Sequence, residues 1–522
     1  MKPIARLLAV ATATLLPIAS SRAQNAARAA MVAPEHIRFV LSSLAHDSME
    51  GRGTGTRGSM RAAKFIAEQF RLAGLEPAGD SGYFQHVPLA TRAVDPGSAL
   101  VVDGTTLRLG VDFSISAGRA DPTSLDGVQV IYGGVYGDPA SALAPDEVRG
   151  KLVIFTPAAA PLSPAGRRGR PPAPASCRDT PPDAAAQSGR RGGGGRGGRG
   201  RGGFGGASAA LQGAAGIAMI EGEQLSARTE WAARHTGTAF VKDPAAASSN
   251  AATSASVQLT RHAADVLLGA PVAGAAKGTA GKTIRSTITF VERPALGGNV
   301  VGIMRGSDPS MANDVVLVDA HYDHLGIGLP SPGSTDSVYN GADDDASGTT
   351  AVIEIARAIK AGPAPKRTLV LIATTGEEVG LLGTNWYIGH PVRPLSQMVA
   401  NLEIEMIDRP DSLAGGEGKG WLTGFERSTM GDTLAARGLP IVKDPRPDQS
   451  FFMRSDNIAF ARMGIPAHTL SSFDLHADYH RANDEIGLAD IPHMTGVITA
   501  GIAAVRLLAD GFTPRWYPGC KP

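Results

Sequence analysis

The chain has 522 residues, with 50 Lys and Arg against 49 Asp and Glu and a net charge of +1 when the histidines are neutral. That length is too great for one ordinary core and predicts about two to three domains. The charge balance excludes a chain-wide attraction to nucleic acid or to an anionic membrane.

At the start, Lys2 and Arg6 precede an apolar run over residues 7–19, and Ser21-Arg22-Ala23 offers a small-x-small cleavage site. This is the organisation of a secretory leader, residues 1–23, and the run is shorter than the ~20 apolar residues a spanning helix needs. With no second such run read in the chain, the sequence predicts export to the periplasm or the extracellular medium and no stable membrane anchor. After Pro34, Ile37, Val40, Leu41 and Leu44 fall at helical spacing. A second helix is predicted from Ser59 to Gly74, with Ala63, Ile66, Ala67 and Phe70 as its buried stripe.

Residues 87–290 have a different texture and read as an insertion. Apolar runs at 128–132 and 151–155 predict strands, and 209–220 a small helix and strand. Between them, residues 161–206 are rich in Pro and Ala and then in Arg and Gly, a composition that buries too little apolar surface to order itself. In an exported chain this predicts a disordered loop rather than an RNA-binding arm, so no nucleic-acid partner is expected. Cys177 and Cys520 lack close cysteine or histidine neighbours; export permits a disulfide, and the sequence leaves their pairing open. Gly281-Lys282-Thr283 resembles the end of a phosphate-binding loop, but Ala276 stands where its first glycine is required. Neither a His-Glu-x-x-His helix nor a Gly-x-Ser-x-Gly elbow occurs.

From Asn299 onward, compact apolar or alternating runs at 300–304, 315–320, 369–373 and 398–404 are interspersed with a helical stripe of Val352, Ile355, Ala356 and Ile359. This predicts an α/β domain whose mixed, mostly parallel sheet lies between helix layers, with ligands bound beyond the carboxyl ends of its strands. Polar residues stand at those ends: His321 and Asp323, the triplet Asp343-Asp344-Asp345, Glu377-Glu378, Glu405, and His480 in a late loop. Imidazoles and carboxylates suit a divalent metal such as zinc, and two ions about 3.5–4 Å apart need a shared carboxylate. Asp344, just after the Gly341-Ala342 turn, suits that bridge. His321 with Asp323 two residues on suits a ligand and its orienting partner. Adjacent glutamates point different ways, so Glu378 can bind metal while Glu377 faces the substrate water as general base.

The strings 320–324 (Ala-His-Tyr-Asp-His), 341–348 (Gly-Ala-Asp-Asp-Asp-Ala-Ser-Gly), 376–383 (Gly-Glu-Glu-Val-Gly-Leu-Leu-Gly) and Tyr479-His480 with Asp484 resemble, in order, the zinc peptidases of family M28, the aminopeptidase Y family. The likeness also takes in Glu50-Gly51-Arg52, Gly53-Thr54-Gly55, Arg454-Ser455-Asp456-Asn457 and most of residues 295–510. It implies a zinc exopeptidase fold in which His321 and Glu405 hold one metal, Glu378 and His480 the other, and Asp344 both. Glu377 is implied as general base and Asp323 as the residue orienting His321. The implied organisation is a peptidase domain split into residues 34–90 and 291–512. Residues 91–290 would be a small β-rich insertion like a protease-associated domain, containing the loop at 161–206.

The implied activity is that of an aminopeptidase acting on peptides through a metal-activated water and two Zn2+ ions, with Co2+ or Mn2+ acceptable to the same donors. A carboxypeptidase of the same family, and a binding protein on its fold, are the competing readings. Glu405 stands where the family commonly has Asp, Asp345 where it has Asn, Asn457 where His is frequent, and Arg481 where Thr is usual. None of these changes removes a presumed ligand.

Overall fold

The computed structural model describes residues 32–115, 124–138, 143–157, 177, 211, 213–220, 238–242, 254–328, 330 and 334–522. The predicted leader lies outside them, as does the Pro/Ala and Arg/Gly-rich run apart from Cys177.

Helices α1 (Pro34–Leu44) and α2 (Arg57–Leu72) form where the apolar spacing places them. Helix α2 starts two residues ahead of the predicted Ser59, because the hydroxyl that caps it belongs to Thr56, which accepts a hydrogen bond from the Ser59 N–H. A nine-stranded sheet follows, built from β1 (Glu76–Pro77), β2 (Phe84–His86), β3 (Gly298–Met304), β4 (Val315–His321), β5 (Thr368–Thr374), β6 (Met398–Ile404), β7 (Gly420–Leu422), β8 (Ile441–Lys443) and β9 (Ala467–Ser471). Its order is β1-β3-β5-β4-β6-β9-β7-β8, with β2 also on β3. Strands β5, β4, β6 and β9 run parallel, while β3 and β7 join them antiparallel.

Strands β4 and β5 are buried along their whole length and β6 along all but Val399, so β4 and β5 read as nearly continuous apolar runs, while β6 carries the polar Asn401 and Glu403. The pleat still divides them. Val316, Val318, Leu369, Leu371 and Leu402 pack with α1, α2, α3 (Gly348–Ala361) and a C-terminal helix, whereas Val315, Leu317, Val370 and Ile372 pack with α4 (Leu382–Gly389) and α5 (Asn457–Arg462) on the other face. The layers are therefore helix, sheet, helix, as expected.

The C-terminal helix, α6 (Ile491–Ala509), corrects one expectation. By length and composition it could cross a membrane, and the sequence reading passed over it as an apolar run. Its Val497, Ala504, Val505 and Leu508 instead enter the core shared with α1 and α3, which explains its apolar character.

The insertion carries a separate core. A six-stranded sheet runs in the order Ala280–Thr283, Gln129–Val135, Leu152–Thr156, Gly216–Ile220, Ala255–Leu259, Phe113–Ile115. Helix Arg261–Leu268 packs on it through Ala263, Ala264, Leu267 and Leu268. A smaller sheet of Leu89–Val94, Thr238–Val241 and Phe290–Pro294 sits against the α/β part, where Leu89 and Ala239 share a cluster with Leu382. Cys177 and Cys520 are joined as a disulfide, with their Cα atoms 5.2 Å apart, so the insertion is tied to the C-terminal tail.

Candidate metal centre

Because β4, β5, β6 and β9 are parallel, their carboxyl ends lie at one edge of the sheet, and each delivers part of the site there. His321 is the last residue of β4, Glu377 and Glu378 follow β5, Glu405 follows β6, and His480 stands in the loop after β9. Asp344 comes from the turn before α3. That turn starts at Gly341, whose φ is +55°; a side chain there would strike the Asp344 carbonyl and the His324 ring. Glycine is required, and it holds Asp344 against the strand ends.

Asp344 is the centre of the group. His321 Nε2 is 3.3 Å from its Oδ1 and 3.8 Å from Glu405 Oε1. His480 Nε2 is 3.0 Å from Asp344 Oδ2 and 3.2 Å from Glu378 Oε2. All five predicted ligands are thus brought together, two on either side of one carboxylate. His321 Nε2 and Glu378 Oε1 are buried without a hydrogen-bond partner, although buried polar atoms ordinarily have one. Unpaired imidazole nitrogens and carboxylate oxygens converging in this way fit divalent cations such as zinc.

The electrostatics follow from that crowding. Burial opposes a charge on His321 and His480, yet the carboxylates facing them win: the His321 pKa rises well above its ordinary value, and that of His480 is pushed up to about 10. Burial and Asp344 oppose ionisation of Glu378, but His324 and His480 hold its pKa down at about 2. Glu377 goes the other way. Burial raises its pKa well above the carboxylate range against the pull of His321, and Glu378 and Glu405 add to the rise.

Asp323 works on two neighbours. Its backbone carbonyl, 3.1 Å from His321 Nδ1, is the nearest acceptor for that nitrogen, while its carboxylate lies 3.9 Å away. A proton on Nδ1 leaves Nε2 free for a cation. The carboxylate accepts from Thr54 Oγ1 at 2.7 Å and from the Glu377 N–H at 3.1 Å, so it also fixes the loop that carries Glu377.

Three residues had no role in the sequence reading. The fully buried Arg52 guanidinium donates to the carbonyls of Leu44, Tyr322, Asn340, Gly341 and Asp344, stitching the loops behind the site. Asp484 accepts from the backbone N–H groups of Asp343 and Asp344. His324 stands beside Glu378. Arg52 and Asp484 were visible as parts of matched strings, and His324 as the last residue of 320–324, but spacing could not show what they touch.

The unusual residues keep structural duties. Asp345 Oδ1 accepts from the Gly348 and Met406 N–H groups, and Asn457 donates from Nδ2 to the Phe452 carbonyl.

A cleft opens beside Asp344, Glu377, Glu405 and His480, walled by Trp421, Phe451, Phe473 and Tyr479, with Arg454 on its lining. The rings of Trp421 and Phe451 lie 5.1 Å apart, as do those of Phe473 and Tyr479. Such a wall suits an apolar side chain.

Below the cleft, the fully buried Asp456 accepts from Thr374 Oγ1 at 2.6 Å, but burial outweighs that bond and lifts its pKa from 3.8 to about 6. In the unfolded chain this carboxyl ionises at the lower value. Between about pH 4 and pH 6 the folded state therefore binds more protons, and Asp456 subtracts stability as pH rises through that window. Asp456→Asn abolishes the effect. In urea unfolding of the metal-free protein, the variant is expected to gain about 3 kcal/mol relative to the parent between pH 4 and pH 7, at ~1.4 kcal/mol per pKa unit. A difference that stays flat over that range would refute the assignment.

Residues 299–500 match the family model described as peptidase family M28. Over 110 residues the chain is 34% identical to aminopeptidase YwaD of Bacillus subtilis (strain 168), covering 21% of this chain and 21% of that one. Over 250 residues it is 24% identical to a vacuolar membrane protease of Penicillium rubens, covering 44% and 24%. The chain thus spans only about a fifth to a quarter of the length of these curated relatives. Among solved structures, an aminopeptidase from Aneurinibacillus sp. strain AM-1 aligns with a TM-score of 0.52 at 17% identity, covering 95% of this chain and 97% of that one, which establishes a common fold. With the strand-end site lying inside the matched stretch, residues 299–500 are a peptidase family M28 domain.

Proposed function

We propose that this protein is an exported metallo-aminopeptidase that removes N-terminal residues from peptides with a pair of divalent ions, zinc by preference. The observation that carries the reading is the placement of His321 and Glu405 on one side of Asp344 and of Glu378 and His480 on the other. Bound there, two such ions would supply Lewis-acid polarisation of the scissile carbonyl and a water acidified toward a pKa of ~7.

The chain's own groups do the rest. Glu377, in the cleft and with no cationic side chain bonded to it among the described residues, takes a proton from the attacking water and passes it to the leaving amine. The Asp323 carboxylate holds the Glu377 backbone in place for that transfer. The free α-amino group of the substrate is attracted to the acidic rim, and its side chain lies against Trp421, Phe451 and Phe473. The leader at 1–23 would direct export, and the insertion would serve as a protease-associated domain beside the cleft.

One observation favours a second reading. A carboxypeptidase needs a cation for the substrate carboxylate, and Arg454 lines the cleft.

A single experiment separates the two: hydrolysis by purified protein of free-amine aminoacyl amides, which lack a carboxylate, and of N-acetylated dipeptides, which carry one, with metal content measured alongside. Cleavage of free-amine substrates alone, with about two ions bound, is the expected result. Cleavage of blocked substrates alone would replace the aminopeptidase reading with the carboxypeptidase one. A metal-free chain without turnover would leave a binding protein on a peptidase fold.

A further inference from the structure

His324 has no part in the mechanism above, yet its side chain is fully buried at the centre of the site. Its Nδ1 is 2.8 Å from Glu378 Oε1 and 3.8 Å from Asp344 Oδ2, and one atom from each of these three residues falls within 4.8 Å of the others. Neither ring nitrogen has a hydrogen-bond partner. A nitrogen 2.8 Å from a carboxylate oxygen without hydrogen-bond direction points past that oxygen. His321 Nε2 shows the same misdirection 3.3 Å from Asp344 Oδ1.

Ligands of one ion behave in this way, because their lone pairs converge on the ion and not on each other. With zinc–ligand bonds of about 2.0–2.1 Å, tetrahedral geometry sets neighbouring donor atoms about 3.3 Å apart. His324 Nδ1 lies 2.8 Å from Glu378 Oε1 and 3.8 Å from Asp344 Oδ2, and His480 Nε2 lies 3.2 Å from Glu378 Oε2 and 3.0 Å from Asp344 Oδ2, distances that bracket that value.

We propose that His324 Nδ1 is a sixth protein ligand, which with His480, Glu378 and Asp344 gives one of the two ions two nitrogens and two oxygens. The other ion has one nitrogen, from His321, and the oxygens of Glu405 and Asp344. This rests on the two-metal reading and makes its halves unequal. Four protein ligands close a tetrahedral site, whereas three leave a position open. The ion beside His324 is then the retained one, and the ion beside His321 the exchangeable one.

The test is zinc titration of the metal-free protein against a chromophoric chelator. Wild type is expected to show two ions of different affinity. In His324→Gln the tighter class should weaken by about a hundredfold or more, beyond the 10–100-fold typical of a residue that only orients a ligand, while the weaker class stays in place. His324→Cys loaded with cobalt(II) should show a thiolate-to-metal charge-transfer band in the near ultraviolet, which a merely structural residue would not produce. Two unchanged affinities in His324→Gln, or no such band in a folded His324→Cys that binds cobalt, would overturn the assignment and leave the two-metal reading standing. A wild-type chain that binds no ion would overturn both.

Discussion

Replacing Glu377 with Gln is expected to lower kcat/KM by about a thousandfold, within the 10²–10⁴ range of a positioned proton-transfer group, while KM and metal content stay near wild type. The amide keeps the shape of the side chain but cannot take the proton of the attacking water. Glu377 lines the cleft among Asp344, Glu405 and His480. Burial, with Glu378 and Glu405 nearby, makes its carboxylate readier to hold a proton than an exposed glutamate. A ligand would lose metal on the same substitution, so elemental analysis of the variant separates the two roles. Activity within tenfold of wild type, in a variant that still binds its ions, would remove Glu377 as the base.

The second large effect is expected at Asp344. Its two oxygens face different histidines, Oδ1 toward His321 and Oδ2 toward His480. Asp344→Asn replaces one oxygen by an NH2 group that cannot bind a cation and removes the negative charge of the bridge. Metal content should fall from about two ions to one or fewer per chain, as the loss of a shared ligand requires, and turnover should fall below detection. Dialysis followed by elemental analysis measures the first, and circular dichroism shows whether the chain is still folded. A folded Asp344→Asn that keeps both ions would mean that the carboxylate is not shared.

Much of the frame was legible because its physics is local. Apolar or alternating runs of about five to seven residues bounded by polar segments read as strands, and the spacing of Val352, Ile355, Ala356 and Ile359 reads as one face of a helix between them. Helix α6 was missed for an equally local reason: it is apolar on nearly every side, so it shows no stripe, and only its packing between α1 and the sheet accounts for it. The start of α2 was misplaced because Ser59 and Thr56 are both good caps, and the choice between them depends on backbone geometry.

By itself the sequence determined the donor types and their order along the chain: histidines, aspartates and glutamates, each next to the end of an apolar run. It also determined the layered fold, since alternating strand and helix periods leave few other ways to bury those runs. A mostly parallel sheet was expected, but only the tertiary structure decided which four strands are parallel neighbours, and hence that His321, Glu378, Glu405 and His480 meet at one edge. It decided as well that the Asp323 carbonyl, rather than its carboxylate, meets His321, that Arg52 and Asp484 hold the Asp344 turn, and that His324 faces Glu378. Those contacts join residues up to some three hundred positions apart, as with Arg52 and Asp344. No local period encodes such a contact, because it forms only once the whole core has been assembled.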